Sequence, residues 1–219
     1  MLPFCYSLFL VLFFVLKNIE TTNKVFLFFL GGCFFYLVLH LFFYKPIKMY
    51  VFGHELVHAL SAWLCGGKVG KMKLKNSSGE VSVSKVNTFI ALSPYFVPIY
   101  SLFLVVLWSI FKYLLKFSIK EEIFIFLLGV TVMFHIVLTL YAVSVGQQDF
   151  NISGWFFSIV VICIINVVVL VILIMLFLPV KLEVKDVVEK VLVSTHESYK
   201  NVIVLFNKII SGMKDKYNG

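Results

Sequence analysis

Long apolar blocks dominate this chain and limit what it can fold into. Most of them run about 20 residues, the length that an α-helix needs to cross a hydrocarbon core of about 30 Å. Hydrophobic residues make up 61% of the 219 residues and charged residues only 14%, a balance typical of membrane proteins. We therefore predict an all-α polytopic membrane protein with about five to six transmembrane helices. The six blocks are Leu2–Leu16, Val25–Tyr44, Met49–Cys65, Thr88–Phe111, Ile123–Val145 and Trp155–Leu178.

The positions of the basic residues indicate which kind of partner the net charge of +8 attracts. All 19 are lysines, and they lie between the apolar blocks or after the last one. This is the distribution expected of anchors at a membrane surface and of cytoplasmic loops. The charge therefore predicts contact with a lipid bilayer and no nucleic acid, in an integral, multi-pass protein expected in the cell membrane.

A short segment between the third and fourth blocks changes to a period of two. This alternation predicts a β-hairpin over residues 69–86, with a solvated loop as the alternative. The interrupting residues, Asn76-Ser77-Ser78-Gly79, predict its turn. After Pro179 the chain becomes polar, and valines near helical spacing predict a helical tail over residues 180–219 at the membrane surface. Residues 1–179 then form one transmembrane domain.

The third block carries the motif that points to chemistry. His54-Glu55-Leu56-Val57-His58 is an H-E-x-x-H pattern in a segment, 49–65, predicted to be one helix. Histidines four residues apart share a helical face, so His54 and His58 can bind one metal ion while Glu55 holds a water molecule. A charged residue at bilayer depth costs about 2.5–3.5 kcal/mol, which favours a functional Glu55. A hydrogen-bonded cluster without metal is the alternative.

A catalytic zinc site needs a third protein ligand, and the chain offers few. Of the 11 acidic residues, all but Glu55 and Asp149 lie in lysine-containing connections or in the tail. Asp149 lies in a polar, otherwise uncharged loop over residues 146–154, which can fold inward where protein satisfies its backbone. We therefore predict that His54, His58 and Asp149 bind Zn²⁺. An ordinary surface loop is the alternative for residues 146–154.

His135 is a further ionisable residue within an apolar block. Membrane-embedded ionisable residues are usually functional, so His135 is a candidate substitute ligand, partner of a ligand or oxyanion donor. A histidine satisfied within the core is the alternative.

These residues resemble the M50 peptidases, the site-2 protease family, and in particular its compact M50B-like branch. The resemblance covers about Tyr50–Leu178. The H-E-x-x-H helix followed by Cys65-Gly66-Gly67 is similar to the family's zinc helix with its glycine turn. The hairpin is similar to the strands that line the family's substrate cleft. Asp149 lacks the glycine that usually follows the family's aspartate ligand, and Ser93-Pro94-Tyr95-Phe96-Val97 lacks the asparagine of its Gly-Pro-x-x-Asn element.

The resemblance implies a zinc metalloendopeptidase that cleaves membrane-associated proteins or peptides, with Glu55 assisting the attack of zinc-bound water. Two alternatives stay open. One is another membrane gluzincin, such as a Ste24-like or CAAX-type protease, although those carry a glutamate as third ligand. The other is a non-catalytic metal-binding membrane scaffold.

The orientation of the chain in the membrane presents a conflict. The lysine-rich hairpin and the lysine-rich tail are both expected on the cytoplasmic side. Three apparent spans separate them, which places them on opposite sides. Either a block such as Thr88–Phe111, with Pro94 and Pro98, is re-entrant, or the tail lies outside.

Overall fold

The computed structural model describes residues 1–43, 45–75, 78–116 and 120–217. It is mostly helical, with one two-stranded antiparallel sheet. The chain divides into two compact units, one of residues 1–20 with 163–219 and one of residues 21–162. The elements are α1 (Leu2–Lys17), α2 (Lys24–Val38, continued by a π-turn at Leu39–Phe43), α3 (Ile47–Leu64), β1 (Val69–Leu74), β2 (Gly79–Val83), α4 (Thr88–Leu92, continued by a 3-10 turn at Ser93–Tyr95), α5 (Ile99–Ser109, continued by a π-turn at Ile110–Leu114), α6 (Glu121–Val145), a 3-10 turn at Gln148–Asn151, α7 (Trp155–Phe177) and α8 (Val184–Tyr217).

Three helices within the described ranges are long and apolar enough to cross a membrane: α2 with its π-turn, α6 and α7. Only 22% of the most apolar stretch of α7 is buried within the protein, so most of its apolar side chains are partly or fully exposed. A lipid environment would cover such a surface. A membrane helical protein is therefore supported, while the count of about five to six spans stays a prediction.

The block Thr88–Phe111 is broken into two helices. The segments Thr88–Tyr95 and Ile99–Leu114 meet at an angle of 73°. Pro98 lies at the break and has no N–H to donate, and the Tyr95 carbonyl there accepts a hydrogen bond from the Thr139 hydroxyl. The bent pair is either a broken span or a re-entrant loop.

Helices α2 and α6 pack closely because each has a glycine at the contact. A Cβ on Gly32 would lie 2.0 Å from the Phe126 carbonyl oxygen, and a Cβ on Gly129 would lie 2.2 Å from the Phe29 carbonyl oxygen. Small residues at membrane helix interfaces let the two backbones approach in this way. The contact fixes α6, whose last residue leads into the loop that carries Asp149.

Gly32→Ala is therefore expected to destabilise the protein by about 1–3 kcal/mol, because the added methyl group must push two backbones apart. Thermal unfolding in detergent measures the change. Gly31→Ala is the matched control, since a Cβ there meets only the Phe126 ring at 3.8 Å. Equal melting temperatures for the two variants would contradict the packing argument.

The predicted hairpin is present as β1 and β2, which pair with Met72 opposite Val81 and Leu74 opposite Gly79. The Lys75 N–H donates to the Ser78 carbonyl at 2.7 Å, close to the turn. The predicted turn residues Asn76 and Ser77 lie outside the described residues. On β2 the predicted alternation holds, with Glu80 exposed and Val81 half-buried.

The unit that contains both chain ends is built around α1 and α8. The Ser7 and Thr195 hydroxyls are 3.0 Å apart, and the two helices pack along much of α1. Ile19 and Val180 form an isolated antiparallel bridge, and Lys181 pairs with Glu20 at 3.2 Å. The segment predicted as a helical tail is thus mostly α8, while residues 218 and 219 lie outside the described residues.

Candidate metal centre

Helix α3 places the two histidines of the motif side by side. The imidazole rings of His54 and His58 meet edge to face, with their centroids 4.7 Å apart. The helix ends at a left-handed glycine, Gly66, with φ of +71°. The N–H groups of Gly66 and Gly67 cap the carbonyls of Trp63 and Ala62, as in a Schellman motif. The glycine turn thus ends the helix two turns beyond the histidines.

Hydrogen bonds on the far side of each ring set the direction of the histidines. The His58 Nδ1 atom lies 2.9 Å from the Ile90 carbonyl oxygen and must be its donor, because a carbonyl only accepts. This bond leaves the His58 Nε2 atom as the one that can bind a metal. The His54 Nδ1 atom faces the Tyr50 hydroxyl at 3.4 Å, so its Nε2 atom is also turned inward.

The loop between α6 and α7 brings Asp149 to the histidines. Helix α6 ends at Gly146, whose φ of +72° turns the chain, and the 3-10 turn Gln148–Asn151 follows. Phe150 is 1% exposed and packs against the Tyr95 ring at 4.8 Å. Because its neighbour Phe150 is anchored in the core, Asp149 is held beside α3.

Three candidate ligand atoms form a small triangle. The Nε2 atoms of His54 and His58 are 3.1 Å apart, and the Asp149 Oδ2 atom lies 3.4 Å and 3.6 Å from them. A point equidistant from the three atoms would be about 2.0 Å from each, close to the usual Zn–N and Zn–O lengths. Two imidazoles and a carboxylate are also a donor set that zinc accepts. The three atoms are therefore close enough together to bind one metal ion.

The charge state of Asp149 also suits a ligand. Burial alone would raise the pKa of its carboxyl, but contacts with His54, His58 and Tyr95 hold that pKa well below its usual range. The carboxylate is therefore ionised at neutral pH, which is the form that binds a metal ion.

Glu55 lies next to the triangle and is 7% exposed. Its carboxylate lies close to the backbone of β2. A Cβ on Gly79, at the start of β2, would lie 2.6 Å from the Glu55 Cγ atom and 2.7 Å from a Val51 methyl group. The hairpin therefore packs directly against the carboxylate.

A cleft of about 200 Å³ opens beside Glu55. It runs between α3, the start of β2 and the end of α6. Its wall is mixed, with apolar side chains next to phenol and amide groups, and Glu55 is the acidic group among them. The lining includes Tyr50, His54, Glu55, Gly79, Tyr141 and Gln147. A peptide segment in this cleft would lie against both the Glu55 carboxylate and His54.

His135 lies outside the three-residue cluster in the described part of the chain. It lines a separate cavity of about 20 Å³ with His54, Pro94 and Pro98, which is room for about one water molecule. The structure therefore brings His135 near one candidate ligand, His54, without adding it to the candidate cluster. Its role as a partner of a ligand or an oxyanion donor stays a prediction.

Sequence reasoning missed two groups at this centre. The Tyr95 hydroxyl donates to the Asp149 Oδ2 atom at 2.6 Å, and the Ile90 carbonyl orients His58. Pro98 was the available signal for Tyr95, since a helix that breaks directly after a residue can turn its side chain toward a site. A backbone carbonyl such as that of Ile90 has no signal in the sequence.

No protein-family model, curated protein or solved structure matches this chain.

Proposed function

We propose that this protein is a zinc endopeptidase of site-2 protease type that cleaves membrane-associated proteins within or beside the bilayer. The observation that carries the proposal is the triangle of His54, His58 and Asp149 next to the buried Glu55. Helices suited to a membrane and an open cleft beside Glu55 support it further.

Each side chain has a defined task in this mechanism. His54, His58 and Asp149 would hold the zinc ion, which when bound polarises water and the scissile carbonyl. Glu55 takes a proton from water and passes it to the leaving amine. The side chain borders the cleft, and its contact with β2 at Gly79 keeps it in place.

The cleft suits an extended peptide. A transmembrane helix hides its carbonyls in internal hydrogen bonds, so a substrate must unwind before its peptide bond can be attacked. Strand β2 borders both Glu55 and the cleft, so an unwound segment could add to its edge by β-augmentation.

Purified protein is expected to contain about one zinc ion per chain. In proteoliposomes it should cleave a single-span reporter protein tagged at both ends. The chelator 1,10-phenanthroline should stop the reaction, and added zinc should restore it, because three protein ligands hold one exchangeable ion.

Metal analysis measures the zinc content, and the gel mobility of the reporter measures its cleavage. A well-folded wild-type protein without zinc would refute the proposal that the protein is a zinc endopeptidase. A zinc-loaded protein that cleaves neither the reporter nor disordered casein would favour the metal-binding scaffold.

A further inference from the structure

Tyr95 occupies the break between α4 and α5. It ends the 3-10 turn Ser93–Tyr95 and is 0% exposed. A phenol so deeply buried needs a hydrogen-bond partner, because leaving a buried hydroxyl unpaired costs about 1–3 kcal/mol. The fold brings a partner from 54 residues along the chain, the Asp149 carboxylate.

Tyr95 contacts both parts of the candidate metal centre. Its hydroxyl donates to the Asp149 Oδ2 atom at 2.6 Å, the same oxygen that faces the two histidines. Its ring stands edge-on to the His54 ring, with the centroids 5.1 Å apart. Phe150, next to Asp149, packs on the Tyr95 ring.

We propose that Tyr95 is a positioning residue that holds the Asp149 carboxylate in the orientation needed to bind the metal. A carboxylate oxygen has two lone pairs, so Oδ2 can accept from the phenol and still bind a metal ion. Partners of this kind fix ligand orientation, and their loss typically lowers metal affinity about 10–100-fold. This inference rests on the metal site of the proposed function and not on its peptidase activity.

A purely structural role is the competing explanation, since the ring also fills space beside Phe150. Tyr95→Phe separates the two, because it removes one oxygen and keeps the packing of the ring. The matched control is Tyr36→Phe. Tyr36 is 3% exposed, its hydroxyl lies 3.1 Å from His40 Nδ1, and it packs with Phe134 in another cluster.

Zinc dissociation constants from chelator competition are the main measurement. We expect Tyr95→Phe to raise the Kd about 10-fold or more and Tyr36→Phe to leave it within about twofold. Unfolding of the metal-free proteins should be affected no more by Tyr95→Phe than by Tyr36→Phe. An unchanged Kd in Tyr95→Phe overturns the inference, as does a Kd increase matched by extra loss of stability in the metal-free form.

A double-mutant cycle identifies the ligand through which Tyr95 acts. In the Asp149→Ala background the phenol has no carboxylate to hold, so Tyr95→Phe should change the Kd by less than about threefold. If Tyr95→Phe still raised the zinc Kd about 10-fold in this background, the effect would act through His54, and the inference would be overturned. Because the readout is zinc binding, a zinc-loaded protein that cleaves nothing would refute the protease and leave this result standing.

Discussion

Glu55→Gln is expected to abolish cleavage while leaving zinc bound. General acid–base catalysis contributes about 10²–10⁴-fold to such reactions, so turnover of the single-span reporter should fall by at least about 100-fold. The amide keeps the shape of the buried side chain beside Gly79 but cannot take a proton from water. Cleavage rates and zinc content of the same preparation measure the two parts.

Glu80→Gln is the matched control, because Glu80 follows Gly79 on β2 and is exposed. It should keep both zinc and activity. Turnover retained by Glu55→Gln would mean that another group accepts the proton. Loss of zinc in that variant would instead make Glu55 a ligand.

Asp149→Asn should lower zinc affinity by at least about 100-fold, since it removes the one negative charge among the three ligands. The amide keeps the size of the side chain and can still accept from the Tyr95 hydroxyl. A change in zinc affinity therefore reports the lost charge more than a lost fold. Chelator competition gives the Kd, and cleavage of the reporter should fall in parallel at limiting zinc.

Asp186→Asn provides the control for this variant. Its carboxylate accepts from the Glu183 N–H at the start of α8, so it has a local structural task of its own. Its zinc Kd should equal that of the wild type. Equal affinities for wild type and Asp149→Asn would remove Asp149 from the ligand set, and His135 would become the leading replacement.

Local geometry made part of this arrangement predictable. His54 and His58 are one helical turn apart, so their shared face follows from the helix alone. The hairpin could be predicted because alternation of side chains over few residues is also a local property. Asp149 could be proposed because a zinc site needs a third ligand and, apart from Glu55, every other carboxylate lies in a lysine-containing connection or in the tail.

Long-range packing made the rest unpredictable. The block Thr88–Phe111 has the length and composition of one span, but it is broken by 73° near Pro98. Pro94 and Pro98 indicated a re-entrant block as one alternative, but they gave no sign that the Tyr95 hydroxyl would meet Asp149. Helix α3 was counted among the apolar blocks, yet it is not one of the candidate spans in the described ranges, since Lys48 and the motif residues reduce its apolar character.

The absence of a side chain at Gly79 links the hairpin to the chemistry. A Cβ there would lie 2.7 Å from a Val51 methyl group and also against Glu55, so there is no room for a side chain on this side of the strand. Strand β2 and the Glu55 side chain are therefore in direct contact. In the proposed protease, we expect a peptide that displaces β2 as it enters the cleft to displace Glu55 as well.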